Sequence, residues 1–352
     1  MTASGGTTRS ACFSNREVSR LARAGIRVFL IRGNHDAESV VTSSVALPES
    51  VVRFSTRKFE THAIEELRVA VHGRSFPDRA VTENWAIEYP EAKAGWFNIG
   101  MLHTSCDGRP PHAPYAPCSI ADLRTRGYDY WALGHVHEHE ILARDPWIVY
   151  PGNLQGRSVR ECGARGAVIV DVEDGRVARE PRRVLVDRAR FADVSIDIST
   201  AERDDDVWQA VKRGLGSVVT DAADRLVAAR VRLTGATTLH RDLISRRQQI
   251  TTDARASLQH LHDDLWLEKL LIETSDPRAR AAPNTDLASI DLAAMIDAEA
   301  GDDVRVQVDE CLAGLRNRLP GYLGDELSAD KFEALIAEAR TLVLGRAGER
   351  TR

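Results

Sequence analysis

The stretch that decides the fold is Ile26–Asp36, which reads IRVFLIRGNHD. Its first half, IRVFLI, is a nearly continuous apolar run of the kind found in buried strands. Residues Arg16–Ala24 ahead of it predict a short amphipathic helix, which Gly25 ends. A helix, a glycine and a strand form half of an α/β unit, so the sequence indicates a layered α/β fold. Later strand candidates are numerous and crossover helices few, which favours two packed sheets flanked by helices over a doubly wound sheet.

Polar side chains follow three of the predicted strands. Gly33-Asn34-His35-Asp36 directly follows the predicted strand IRVFLI. Leu102-His103-Thr104 follows a second predicted strand, and Gly134-His135-Val136-His137 follows a third. Open α/β sheets place their sites at the C-terminal ends of strands, so we expect these side chains to lie together. Imidazole nitrogens and an amide oxygen suit ions such as manganese, iron and zinc. The pattern therefore predicts a metal site, although an isolated Asn-His-Asp would more simply be a polar turn.

The ordered motifs GNHD (33–36), LHTS (102–105), GHVH (134–137) and YPGNLQGR (150–157) resemble those of the calcineurin-like metallophosphoesterases. The DNA repair exonuclease branch, of the SbcD and YhaO type, is the most similar. The resemblance covers roughly residues 13–275. It implies a two-sheet α/β sandwich flanked by helices, two divalent metal ions, commonly Mn²⁺, and phosphodiester hydrolysis by in-line attack of water.

The resemblance also implies roles for individual residues. The ligands of the second metal are Asn34, His103 and His135, and His137 is a ligand of the first metal. His35 is the catalytic histidine that contacts the phosphate and protonates the leaving oxygen, with Asp36 as its partner. A loop beside the site holds Asn153, Gln155 and Arg157. For Arg157, a phosphate contact and a structural role both remain open.

A bridging carboxylate is expected between two such metals. In the family, an early D-x-H and a later G-D-x-x-D supply it, but residues 1–33 contain neither Asp nor His. We therefore expect fewer than two tightly bound metals, and we hypothesise that Met1 is not the ancestral start or that the gene is a fragment. Carboxylates or histidines from elsewhere could substitute, although each is more simply a loop residue: Asp107, Asp129, Glu138, His139 and Glu140. His112 could line a substrate entrance or lie on a surface loop.

Composition narrows the class of protein. With 47 Lys and Arg against 52 Asp and Glu, the net charge of −5 excludes a generically basic nucleic-acid binder. A hydrophobic content of 43% is ordinary for a globular protein, and no apolar run is long enough to span a membrane. The five scattered cysteines without a C-x-x-C pair favour the reducing cytoplasm over a disulfide framework or a thiolate zinc site.

The sequence predicts three parts. Residues 1–188 form the metallophosphoesterase domain, 190–276 a small α+β capping module that positions DNA, and 285–352 an acidic helical tail that binds a partner. By resemblance the partners are DNA, an SMC-like coiled-coil ATPase and a second copy of the chain. Arginines cluster at 157–165, 176–190 and 241–247, where they could follow phosphates or simply be solvated.

The predicted function is that of a metal-dependent DNA repair exonuclease, the nuclease subunit of an SMC-like ATPase complex. Two alternatives remain. The expected shortage of carboxylates motivates a catalytically impaired binding subunit. A phosphoesterase for small molecules is the other, although the capping module and the tail argue against it.

Overall fold

The computed structural model describes residues 16–34, 48–78, 80–107 and 115–277. His35, Asp36, His112 and the predicted tail lie outside these residues. The described residues form two compact units, one within Met1–Arg157 and Gly163–Arg188, the other within Ser158–Cys162 and Ala189–Arg352. Each unit is described by itself.

The first unit begins with a helix, α1, over residues 16–23, which ends at Gly25 with a φ of +72°. Its second helix is α2 (Ile120–Arg124), capped by Ser119. Its strands are β1 (Val28–Leu30), β2 (Val51–Arg53), β3 (Glu60–Ile64), β4 (Val69–Gly73), β5 (Phe97–His103), β6 (Tyr130–Gly134), β7 (His139–Arg144), β8 (Trp147–Pro151), β9 (Gly166–Ile169), β10 (Val172–Glu173), β11 (Arg176–Val177) and β12 (Arg182–Leu185).

A six-stranded sheet forms the centre of this unit, in the order β3-β4-β5-β6-β8-β7. Its four inner strands are parallel, and the outer strands β3 and β7 are antiparallel to their neighbours. The carboxyl ends of β4, β5 and β6 therefore meet at one edge. Separate pairs are the parallel β1-β2 and the antiparallel β9-β12 and β10-β11. The architecture is mixed α/β with several sheets and few helices, as predicted.

Both faces of the six-stranded sheet are covered. On one face Leu102 and Trp131 pack with Tyr89 and Leu123. The opposite face carries Phe97, Tyr130 and Val149, against which residues such as Val168 of β9 and Val177 of β11 pack. Successive strand residues face opposite sides of the sheet, and both sides are buried here. The sequences of β5, β6 and β8 are therefore nearly continuous apolar runs, which is why the sequence predicted them.

Two expectations about strands were wrong. The IRVFLI run predicted a buried strand, but β1 spans only Val28–Leu30, its residues are half-buried, and Ile26 is 51% exposed. His139 and Glu140, expected in a loop, lie on β7 opposite Pro151 and Tyr150. Like β3 and β12, β7 has no apolar run that would reveal it, because it is an edge strand with polar residues.

The second unit is a three-stranded parallel sheet covered by helices. Its elements are β13 (Ala189–Asp197), α3 (Asp204–Ala222), β14 (Leu226–Ala236), α4 (His240–Ser245), α5 (Arg247–Leu261) and β15 (Leu265–Ser275). Every second residue of β14 from Val227 to Leu233 is buried. These side chains pack against Val211 and Leu215 of α3 and Leu258 of α5. The sequence did not predict α4 and α5, whose apolar positions are widely spaced among polar residues.

Among the residues described, no helix has the length and apolar content needed to cross a membrane.

Candidate metal centre

Three motif residues meet at the carboxyl edge of the sheet. Nε2 of His103, the last residue of β5, lies 2.8 Å from Oδ1 of Asn34, which is only 4% exposed. The ring of His135, which follows β6, lies edge-on to His103 with ring centroids 5.2 Å apart. These are the three residues that the resemblance assigns to the second metal, and the fold brings them together from distant parts of the chain.

The glycines of two motifs make room for the histidine of the third. A Cβ on Gly33 would lie 2.4 Å from Cε1 of His103, and a Cβ on Gly134 would lie 3.0 Å from its Nδ1. Real Cβ atoms do not approach another heavy atom as closely as the first of these distances. The His103 ring therefore fits only because Gly33 has no side chain.

The turn that carries Asn34 is anchored by backbone hydrogen bonds to the end of β4. The amide of Arg32 donates to Oγ of Ser75 at 3.2 Å, and Ser75 Oγ donates to the carbonyl of Phe54 at 2.7 Å. The amide of Phe76 donates to the Arg32 carbonyl at 3.0 Å. Ser75 is fully buried, so these bonds fix the turn against the ends of β2 and β4.

The ends of β5, β6 and β8 are tied together in the same way. The amide of Thr104 donates to the carbonyl of Gly134 at 3.1 Å. The hydroxyl of Tyr150 donates to the Thr104 carbonyl at 2.8 Å and accepts from the amide of Cys106 at 3.0 Å. Tyr150 and Thr104 are fully buried, so the LHTS and GHVH turns are held at a fixed separation.

His135 has a φ of +100°, a backbone region that favours glycine. Such a conformation costs about 1–3 kcal/mol in a residue with a side chain and persists only where the surroundings enforce it. Here the Gly134 carbonyl is held by Thr104 on one side, and the ring of Tyr115 lies edge-on to the imidazole at 5.1 Å. The strain turns the imidazole of His135 toward His103.

His137 is positioned by the loop after β8. Its carbonyl accepts from the amide of Asn153 at 3.1 Å, and Gly152, with a φ of +75°, leaves room for that carbonyl. Nη2 of Arg157 lies 3.0 Å from Nδ1 of His137. Arginine only donates, so Nδ1 accepts in this arrangement, and a metal bound through Nδ1 has to displace Arg157.

Arg165 is a positioning residue that the sequence did not single out. Its side chain is fully buried, Nη1 donates to the His137 carbonyl at 2.6 Å, and Nη2 pairs with the carboxylate of Glu138. A buried arginine is rare unless it is paired, and this one holds the backbone of the GHVH turn directly. An arginine far along the chain gives no sequence signal of this role.

These residues suit a divalent ion. Two ligands at right angles on a metal with bonds of about 2.1 Å lie about 3 Å apart, which matches the separation of Asn34 Oδ1 and His103 Nε2. The donors of this cluster are neutral. In the described part of the chain, no group of three or more His, Cys, Asp or Glu side chains has the geometry of a metal site. The residues could hold one ion through Asn34, His103 and His135.

The residues considered as substitute ligands have other places. Asp129 accepts from the amide of Asn98 at 2.7 Å, at the amino end of β6 and therefore away from the histidines. Asp107 is exposed, with its amide bonded to the Cys118 carbonyl. Glu138 pairs with Arg165, and His139 and Glu140 lie on β7 opposite Pro151 and Tyr150. None of these contacts indicates a bridging carboxylate.

Comparison with known proteins relates the chain to metallophosphoesterases. Residues 191–275 match the family model of the middle domain of the metallophosphoesterase YhaO. An uncharacterized metallophosphoesterase YhaO of Bacillus subtilis is 35% identical over 211 residues, which is 58% of this chain and 50% of that protein. The chain thus spans about half the length of this relative.

A DNA double-strand break repair protein Mre11 of Methanopyrus kandleri is 27% identical over 352 residues, covering 90% of this chain and 72% of that protein. These similarities support a calcineurin-like metallophosphoesterase of the DNA repair exonuclease type. Metallophosphoesterases of this family use divalent metals. Asn34, His103 and His135 are the described residues that the sequence predicts as metal ligands and that the fold brings together.

Proposed function

We propose that this chain is a metal-dependent phosphodiesterase that acts on DNA, as the nuclease subunit of a complex with an SMC-like coiled-coil ATPase. The observation that carries the proposal is the 2.8 Å approach of Asn34 to His103, beside the ring of His135. The printed name of the Methanopyrus relative, a double-strand break repair protein, supports DNA as the substrate.

The chemistry that a bound divalent ion, in our proposal Mn²⁺, supplies is polarisation of a phosphate oxygen and activation of water. The chain's own residues bind and orient. Asn34, His103 and His135 hold the ion, while the rings of Phe76 and Tyr115, each about 5 Å from an imidazole, shield the histidines from water. Exclusion of water strengthens electrostatic interactions with the phosphate.

Proton transfer is assigned to residues outside the described part of the chain. We propose that His35 protonates the leaving oxygen and that Asp36 orients its ring. His137 is the proposed ligand of the first metal, and Arg157 has to leave its Nδ1 if the metal binds at that atom. A contact between Arg157 and the substrate phosphate is part of the same proposal.

The remaining parts of the proposal concern partners and location. We propose that residues 1–188 are catalytic, that 190–276 position DNA, and that the acidic segment 285–352 binds the ATPase. A homodimer is part of the same proposal. The free thiols of Cys106, Cys118 and Cys162 are in keeping with a cytoplasmic location.

The test compares three substrates with purified chain and Mn²⁺: end-labelled duplex DNA, bis(p-nitrophenyl) phosphate and p-nitrophenyl phosphate. We expect hydrolysis of DNA and of the diester, and a loss of about 100-fold or more in N34A and H103A. H260Q, an exposed position in the second unit, is the control. Preference for the monoester or for nucleotides would favour the small-molecule alternative.

The binding-subunit alternative has its own outcome. It is right if the wild-type chain cleaves neither DNA nor the diester with Mn²⁺ but still binds DNA and the ATPase.

A further inference from the structure

We propose that Arg74, with Arg32 and Arg57, forms a basic strip that binds the phosphates of the DNA strand beside the metal centre. The inference rests on the proposed function, because it assigns the surface that holds the substrate. None of these three arginines belongs to the clusters that are visible in the sequence.

The side chain of Arg74 is held in place by aromatic rings. Its guanidinium carbon lies 4.1 Å from the ring centroid of Trp85 and 5.0 Å from that of Phe59, and Nε donates to the carbonyl of Thr56 at 3.3 Å. Arginine stacks on aromatic faces without losing its charge. The rotamer entropy that a flexible arginine loses on binding an anion is therefore largely lost already in folding.

Arg74 stands at the same edge of the sheet as the histidines. It directly follows β4, whose last residue, Gly73, pairs in parallel with Met101 of β5, two residues before His103. Aromatic rings continue this link, since Trp85 packs edge-on to Phe76 at 5.2 Å and Phe76 edge-on to His103 at 5.2 Å. Consecutive phosphates of a strand bound at the metal can therefore reach Arg74.

The backbones of the other two arginines converge on this point. Arg32 donates its amide to Ser75 Oγ, and the Ser75 amide donates to the Ser55 carbonyl at 2.9 Å. The amide of Arg57 donates to Ser55 Oγ at 3.0 Å, and its side chain is exposed. The backbones of three cationic residues from three chain segments thus lie together after the ends of β1, β2 and β4.

The charge of this strip is not neutralised within the described residues, where no carboxylate forms an ion pair with Arg32, Arg57 or Arg74. Four of the arginines that cluster in the sequence differ. Pairs within the described residues join Arg165 to Glu138, Arg179 to Asp171, Arg241 to Asp276 and Arg246 to Asp204. A guanidinium that already has a carboxylate has less to gain from a phosphate, so these four arginines are poorer phosphate ligands than the arginines of the strip.

The experiment measures binding of fluorescein-labelled duplex DNA by anisotropy in EDTA, where no cleavage occurs, over a range of salt concentrations. We expect R74Q and R57Q each to weaken binding about 10-fold and to reduce the slope of log K against log salt by about one. R179Q, which removes an exposed arginine paired with Asp171, should match the wild type in affinity and slope.

Folding is checked by thermal melting, because R74Q also removes two aromatic contacts. If R74Q is unfolded, the proposal is tested with R57Q and R32Q instead, because these two substitutions alter no aromatic stack that the structure describes. The proposal is wrong if the slope of log K against log salt is unchanged in folded R74Q, or in both R57Q and R32Q. It is also wrong if the wild-type chain does not bind DNA.

Failure of the strip is distinguishable from failure of the proposed function. The wild type could hydrolyse bis(p-nitrophenyl) phosphate while its DNA binding is insensitive to these substitutions. That result supports the phosphodiesterase function and contradicts the strip. The converse result, with no hydrolysis but a reduced slope in the variants, retains the strip on a binding subunit.

Discussion

Nε2 of His103 lies 2.8 Å from Oδ1 of Asn34, although 69 residues separate them in the chain. The contact depends on Gly33, whose missing side chain leaves the space that the imidazole fills. It also depends on Ser75, which ties the Asn34 turn to the end of β4. The metal centre is therefore a property of three strand ends fixed by short hydrogen bonds, and each support can be tested.

Gly33→Ala should damage the candidate centre although it replaces no proposed metal ligand. Its Cβ would lie 2.4 Å from the His103 ring, which has to shift. Overpacking of this kind costs about 1–3 kcal/mol, and we expect a loss of about 10-fold or more in Mn²⁺ affinity by titration calorimetry. Gly216→Ala, where a Cβ meets nothing within 4 Å, is the matched control. Equal Mn²⁺ affinity in the two variants would refute the packing argument.

Arg165→Met should destabilise the first unit. It removes a buried, charge-assisted hydrogen bond to the His137 carbonyl, which keeps only the Asn153 amide as a donor, at a cost of about 2–3 kcal/mol. The control, Arg144→Met, breaks an exposed pair with Glu180 and should cost less than about 1 kcal/mol. Urea denaturation of both variants measures the difference. A cost for Arg165→Met no larger than that of the control would show that Arg165 does not hold the turn.

His72 should make stability fall in mild acid. It is buried between Thr61 and Asn98, and burial lowers its pKa below the ordinary 6.5. Protonation of His72 is therefore less favourable in the folded state than in the unfolded state. The resulting stability is complete above about pH 6.5 and is lost as the pH falls through the folded pKa, by up to about 1.4 kcal/mol per pH unit.

The measurement is the free energy of unfolding in urea at pH 7.5, 6.5 and 5.5, with EDTA present. His72→Gln should reduce the slope of the unfolding free energy against pH by the contribution of about one bound proton. Replacement of the exposed His260 by Gln should leave that slope as in the wild type. A slope in His72→Gln as steep as that of the wild type would contradict the assignment.

The 352-residue chain should bind fewer than two Mn²⁺ ions tightly. The donors that meet in the described residues are an amide and two imidazoles, and these neutral groups do not offset the charge of a second cation as a bridging carboxylate does. Metal analysis after gel filtration counts the ions, and Asn34→Ala should lower the count further. Two ions per chain at full occupancy would show that other residues complete the site.

The sequence by itself indicated a resemblance to a family and many of the strands. Apolar runs revealed the inner strands β5, β6 and β8, which are buried on both faces, and the turn-forming sequence Glu173-Asp174-Gly175 connects β10 and β11 as an antiparallel hairpin. Motifs at strand ends identified Asn34, His103 and His135 because topology alone brings such ends to one edge. The edge strands β3 and β7 were missed, since polar residues there obscure the pattern.

Only the tertiary structure decided which charges are available and what holds the motifs. Four of the arginines that cluster in the sequence are paired with carboxylates, whereas the backbones of Arg32, Arg57 and Arg74 come together only through folding. The role of Arg165 likewise depends on the loop that buries it against His137. Sequence patterns report burial and local conformation, but a side chain's partner across distant segments is set by packing, and packing exists only in the folded chain.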